Sequence, residues 1–124
     1  MFIQVLVSEQ VETGKRIVEA LRKDRFPISG AFWYRMPESG FWRLFIGSKL
    51  VDRIGPFEGY KRLHRILAQM GVLTPFSGSI ALLGAEDPQF LRLRSYALGP
   101  GQFNVGPSFG EGTNPFQDAY VYSL

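Results

Sequence analysis

The stretch Ile28–Gly47, ISGAFWYRMPESGFWRLFIG, holds two runs of aromatic and branched residues on either side of P-E-S-G. Runs of this kind separated by turn residues read as a β-hairpin. With Pro37–Gly40 as the four-residue turn, Met36 faces Phe41, Tyr34 faces Arg43 and Phe32 faces Phe45. Successive strand residues point to opposite faces. The second face therefore carries the pairs Arg35–Trp42, Trp33–Leu44 and Ala31–Ile46. Both faces are apolar at the base of the hairpin, and each has one Arg beside an aromatic near the tip. This pattern predicts a tip in water and a base that is not. A hairpin at a surface needs one apolar face; two apolar faces require two covers.

The flanking sequence supplies candidates. Glu9–Arg25 reads as an amphipathic helix with Ile17, Val18 and Leu21 inward, ended by Pro27. Residues 1–7 read either as a short strand or as an earlier start of that helix. Downstream, SKLVDRI reads as a loop, and Gly55-Pro56 opens a second helix with Pro in its first turn. Tyr60, Leu63, Leu67 and Met70 form its apolar stripe, and Gly71 its C-terminal cap. These two helices fit one face of the hairpin.

Further on, Ser79–Gly84, SIALLG, is an apolar run between glycines, which predicts a central strand buried on both sides. Asp87 and Pro88 start a third helix that runs to about Leu98. Residues 99–115 hold 5 Gly and 3 Pro, which predicts loop, with room for a short strand at Gln102–Val105. The chain closes on a strand in AYVYSL. The expected architecture is a single α+β domain over residues 1–124, with an antiparallel-containing sheet built on the hairpin and about three helices. The second hairpin face is then covered by the third helix and the Gly/Pro-rich segment, or by a partner subunit.

The composition narrows the chemistry. The chain has 124 residues, enough for one core without staples. It has no cysteine, which excludes disulfide scaffolds, thiolate metal sites and a cysteine nucleophile. Aromatic residues make up 15%, and the net charge is +3, too small for a surface built mainly to neutralise phosphates. No run approaches the ~20 apolar residues of a membrane helix. MFIQVLVSEQ lacks the basic start and long apolar run of a signal peptide. A cytoplasmic protein without membrane association is the expectation.

Site motifs are sparse. His64 is the single histidine and sits at the edge of the second helix's stripe, a boundary position. No H-x-x-x-H, D-x-D or E-x-x-H spacing occurs, and GQFNVGPS has Pro107 where a phosphate loop needs lysine. Glu12–Arg16 and Glu19–Lys23 are ordinary i, i+4 helix pairs. Neither catalytic nor metal nor cofactor residues are assigned. A small-molecule or enzyme reading places its pocket near Asn104, Glu111 and Asp118. Lys61, Arg62 and Arg65 share the solvent face of the second helix, opposed only by Glu58. They are the basis of an alternative reading, a nucleic-acid-binding accessory protein.

The order AFWYRMPESGFWRLFIGS, VDRIGPFEGYKRLHRIL and DAYVYSL resembles a family of small uncharacterised bacterial proteins. The resemblance covers most of the chain from Gly14 onward. It implies a bacterial origin and a compact α+β domain, and brings no activity, cofactor or catalytic residue.

The functional expectation is a protein-interaction or regulatory module that self-associates or takes a protein partner. Its expected contact residues are Trp33, Arg35, Trp42, Leu44 and Ile46, with Trp42 nearest the open tip. The terminal strand adds an edge, a template for pairing between chains.

Overall fold

The structure is a computed structural model that describes residues 8–36, 41–76, 78–96 and 119–123. The hairpin forms in the predicted register. Strand β1 (Gly30–Arg35) pairs antiparallel with β2 (Trp42–Ser48), matching Phe32 with Phe45, Trp33 with Leu44 and Arg35 with Trp42. The Met36 N–H donates to the Phe41 carbonyl at 2.9 Å, which closes the ladder at the tip. The P-E-S-G residues themselves lie outside the described residues, as do residues 1–7 and the predicted Gln102–Val105 strand.

From β2 the chain enters helix α2 (Lys49–Met70) without an intervening loop. This corrects the reading of SKLVDRI. Ser48 is extended and its Oγ accepts the Leu50 N–H at 3.1 Å, an N-cap that starts a first segment with Leu50 and Val51 buried. Gly55, at φ 88° and ψ 162°, then breaks the helical path, and Pro56 restarts it. The predicted start at Gly55-Pro56 is therefore the start of the second segment of a kinked helix. Gly71 closes it in the left-handed conformation, its N–H reaching the Ala68 carbonyl.

One helical turn, α3 (Leu73–Phe76), leads into β3 (Ile80–Gly84). Parallel strands need a long crossover, and α2 provides it: β3 lies parallel to β2. Strand β4 (Ala119–Ser123) pairs antiparallel with β1, giving a mixed sheet in the order β3-β2-β1-β4. Among the described strands, the one predicted at Ser79–Gly84 is thus outermost rather than central. Its two-sided burial comes from helices on both faces. Its outer side is shielded by Tyr60, whose hydroxyl accepts the Leu82 N–H at 2.8 Å.

Helix α1 (Ser8–Lys23) and α2 cover one face of the sheet. Ile17, Val18 and Leu21 from α1 and Leu63, Ile66 and Leu67 from α2 pack with Ala31, Trp33, Trp42, Leu44, Ile46, Ile80 and Leu82. The inward residues of both predicted stripes are where the sequence puts them. The first helix ends before Pro27, however. Arg25 takes φ 60° and the Phe26 N–H returns to the Leu21 carbonyl at 2.9 Å.

The opposite face is covered by helix α4 (Pro88–Tyr96), whose N–H at Gln89 is capped by the Asp87 carboxylate at 2.8 Å. Phe90 and Leu93 of α4 pack with Phe32, Tyr34, Phe45, Ala81 and Val121. Phe32 stacks with Phe45 at 5.8 Å and with Phe90 at 6.0 Å between ring centroids. Phe90 lies directly over Gly47, where any side chain would collide with its ring. Both hairpin faces are therefore closed by the chain's own helices.

Candidate functional site

That closure decides where the expected contact residues lie. Trp33, Leu44 and Ile46 are 0% exposed and Trp42 is 6% exposed, all in the core under α1 and α2. The expectation of an open tip at Trp42 is corrected: Trp42 is on the same face as Leu44 and Ile46, and the helical cover extends over it. Among the described residues near the tip, Phe41 and Arg43 are exposed, while Arg35 is half-buried. The cover on this side reaches α3, where Phe76 meets the Trp33 ring edge-on at 6.3 Å.

The basic residues do come together. Lys61, Arg62 and Arg65 are exposed on the outer face of the second segment of α2. Arg65 pairs with Asp24, just past the end of α1, at 3.3 Å. Both partners are solvent-exposed, so this contact is worth at most about 1 kcal/mol. Lys61 and Arg62 have no acidic partner among the described residues. Arg92 and Arg94 sit on α4, across the sheet from this ridge.

A residue that the sequence reading passed over stands on the same ridge. Phe57 is 77% exposed, more than Phe41 at 62% or Leu91 at 41%. It follows the Gly55 kink and Pro56, one turn before Lys61. Residues at i, i+4 and i+8 share a helix face, so Phe57, Lys61 and Arg65 form one line. The signal was present in the sequence: Phe57 lies off the Tyr60–Leu63–Leu67–Met70 stripe, so nothing on the buried face claims it.

Behind Phe57 the surface changes sign. A cavity of about 550 Å³ is lined by Val51, Asp52, Pro56, Tyr60, the end of β3 from Leu82 to Gly84, and Glu86 and Asp87 beyond it. Two of its three acids already have work in the fold. Asp52 accepts the Ala85 N–H at 2.9 Å, and Asp87 caps α4. His64 is half-buried with its ring 5.9 Å from that of Tyr60. No group of three or more His, Asp or Glu able to hold a metal occurs among the described residues. Asn104, Glu111 and Asp118 lie outside the described residues. No helix among the described residues is long and apolar enough to cross a membrane.

The chain matches no protein-family model, and no curated protein or solved structure matches it.

Proposed function

We propose that the chain is a cytoplasmic protein-interaction module that docks through the outer face of α2. The observation that carries this reading is Phe57, a large apolar side chain 77% exposed beside Lys61 and Arg62, which have no acidic partner among the described residues. Interfaces draw most of their energy from a few anchors of this kind surrounded by polar rims. The kink holds the anchor in place: Gly55 turns the chain and Pro56 fixes its own φ. Docking therefore loses little conformational freedom at the anchor.

The test is site-specific photocrosslinking in the cells that make the protein. A photoreactive phenylalanine analogue replaces Phe57, and as a control the exposed Lys15 of α1. The reading expects a discrete protein adduct at position 57 and none at 15. An adduct of twice the chain's mass means self-association, which a light-scattering dilution series then measures. No protein adduct at position 57 rejects the reading.

A second reading, nucleic-acid binding, rests on one observation: Lys61, Arg62 and Arg65 line one exposed face of α2. A gel shift with single- and double-stranded nucleic acid tests it, since phosphate contacts weaken steeply between ~50 and 200 mM salt.

A further inference from the structure

We infer that the partner segment is acidic and asymmetric: an apolar side chain seats on Phe57 and Pro56, and carboxylates follow it over Lys61, Arg62 and Arg65. The inference rests on the docking reading above and specifies its partner. Phe57 and Lys61 are one helical turn apart, about 6 Å along the axis, and Phe57 and Arg65 about 12 Å. The ridge therefore fits acids placed within two helical turns, or about four strand residues, on one side of the apolar anchor.

The acidic surface behind Phe57 sets the direction. Asp52 and Glu86 are exposed, and Pro56 lines the same cavity as these two and Asp87. An anionic segment laid across Phe57 in the wrong direction meets these carboxylates, and like-charge contacts across an interface are strongly unfavourable. The same feature disfavours nucleic acid. A phosphate backbone is anionic along its whole length, so continuing past Phe57 it runs onto this surface. Sequence-tolerant single-strand binding also uses several stacking aromatics. Of the aromatics on the second segment of α2, Phe57 faces solvent, while Tyr60 is half-buried with its hydroxyl committed to Leu82.

The experiment is selection of a displayed random-peptide library on the full chain, with counter-selection on Phe57→Ala. The expected consensus is one large apolar residue with Asp or Glu on one side of it. A synthetic consensus peptide, followed by fluorescence anisotropy, should bind the native chain and lose about tenfold or more in affinity to Phe57→Ala. It should lose a similar factor to the Lys61→Glu, Arg62→Glu double variant, and bind less tightly as salt rises. Circular dichroism melts check that both variants fold. A basic or purely apolar consensus, no Phe57-dependent peptide, or tighter binding of a single-stranded oligonucleotide overturns the inference. A protein adduct at position 57 together with any of these results leaves the docking reading standing and removes only the acidic partner. Loss of the adduct removes both.

Discussion

The indole Nε1–H of Trp33 donates to the Tyr122 hydroxyl at 2.8 Å, and that hydroxyl in turn donates to the Val11 carbonyl. A residue of the hairpin is thereby tied to the closing strand and to the first helix. The Trp33 side chain is fully buried, so its single donor needs this partner. Tyr122→Phe removes one hydroxyl and orphans a donor and an acceptor together. The expected loss is about 1–3 kcal/mol, read as a lower urea midpoint with an unchanged slope. A midpoint within error of the parent would mean that water replaces the hydroxyl.

The same residue predicts a pH dependence. Burial raises the Tyr122 pKa well above the ordinary 10.0, against the lowering effect of the Trp33 hydrogen bond. A raised folded-state value means that the unfolded chain loses this proton first. The stabilisation is complete below pH 10 and declines as pH rises beyond it. The stability difference between the native chain and Tyr122→Phe should therefore shrink above pH 10, as measured by urea titrations across the alkaline range. A difference that stays constant there would show that Tyr122 ionises equally in both states.

Phe90 and Gly47 make a second testable pair. The ring of Phe90 occupies the space that a Gly47 side chain would need, and it stacks on Phe32. Phe90→Ala should cost about 3–5 kcal/mol. Gly47→Ala forces the ring away and should cost at least about 1–3 kcal/mol through overpacking. Because both act on one contact, the double variant should lose less than the two single losses combined. Additive losses in a double-mutant cycle would mean that the two sites are independent.

The register of the hairpin was legible because it follows from a turn position and a period of two. The inward residues of both long helices were legible because their period is 3.6. The misplaced features depend on what arrives from elsewhere in the chain. Ser79–Gly84 looks central from its own residues, since an edge strand covered on both faces has the same composition as a central one. Its true position needs the Tyr60 hydroxyl, 22 residues away. SKLVDRI reads as loop because Gly55-Pro56 is the stronger local start signal, whereas the Ser48 Oγ cap on the Leu50 N–H starts the helix earlier. Four of the five expected contact residues are buried for one reason. The hairpin shows that two covers are required but not which helix takes which face: α1 and α2 close the face of Trp33, Trp42, Leu44 and Ile46, and Phe90 of α4 closes the other. On the functional side, the basic ridge was legible and its Phe57 anchor was legible but unread.

Trp42 and Phe57 separate core from surface by measurement. Trp42, at 6% exposed, belongs to the core, whereas Phe57 is 77% exposed. Trp42→Ala should cost about 3–5 kcal/mol. Phe57→Ala should change stability by no more than about 0.5 kcal/mol while weakening partner binding. If Trp42→Ala left the thermal midpoint unchanged, the burial of the hairpin tip described above would be wrong.

The kink that presents Phe57 rests on backbone geometry alone, which makes it separable from packing. Gly55 has φ 88° and ψ 162°, and a Cβ placed there meets nothing within 4 Å. Gly71 also has positive φ, at 76°, with equally open surroundings. The two differ in region. Gly71 is in the left-handed helical basin, which an alanine enters for about 1–2 kcal/mol. Gly55 is in an extended region at positive φ that is essentially reserved for glycine, and strain there reaches about 3 kcal/mol. Gly55→Ala should therefore destabilise more than Gly71→Ala, although neither methyl group touches anything. A D-alanine at position 55, introduced by chemical ligation, reverses the handedness of the penalty and should restore stability. The functional consequence follows from the same strain. If L-alanine relaxes the kink, Pro56 and Phe57 move together, and the consensus peptide should lose affinity for Gly55→Ala with the Phe57 side chain intact. Recovery of that affinity with D-alanine would tie docking to the kink. Equal affinities for the two alanine enantiomers would show that Phe57 acts without it.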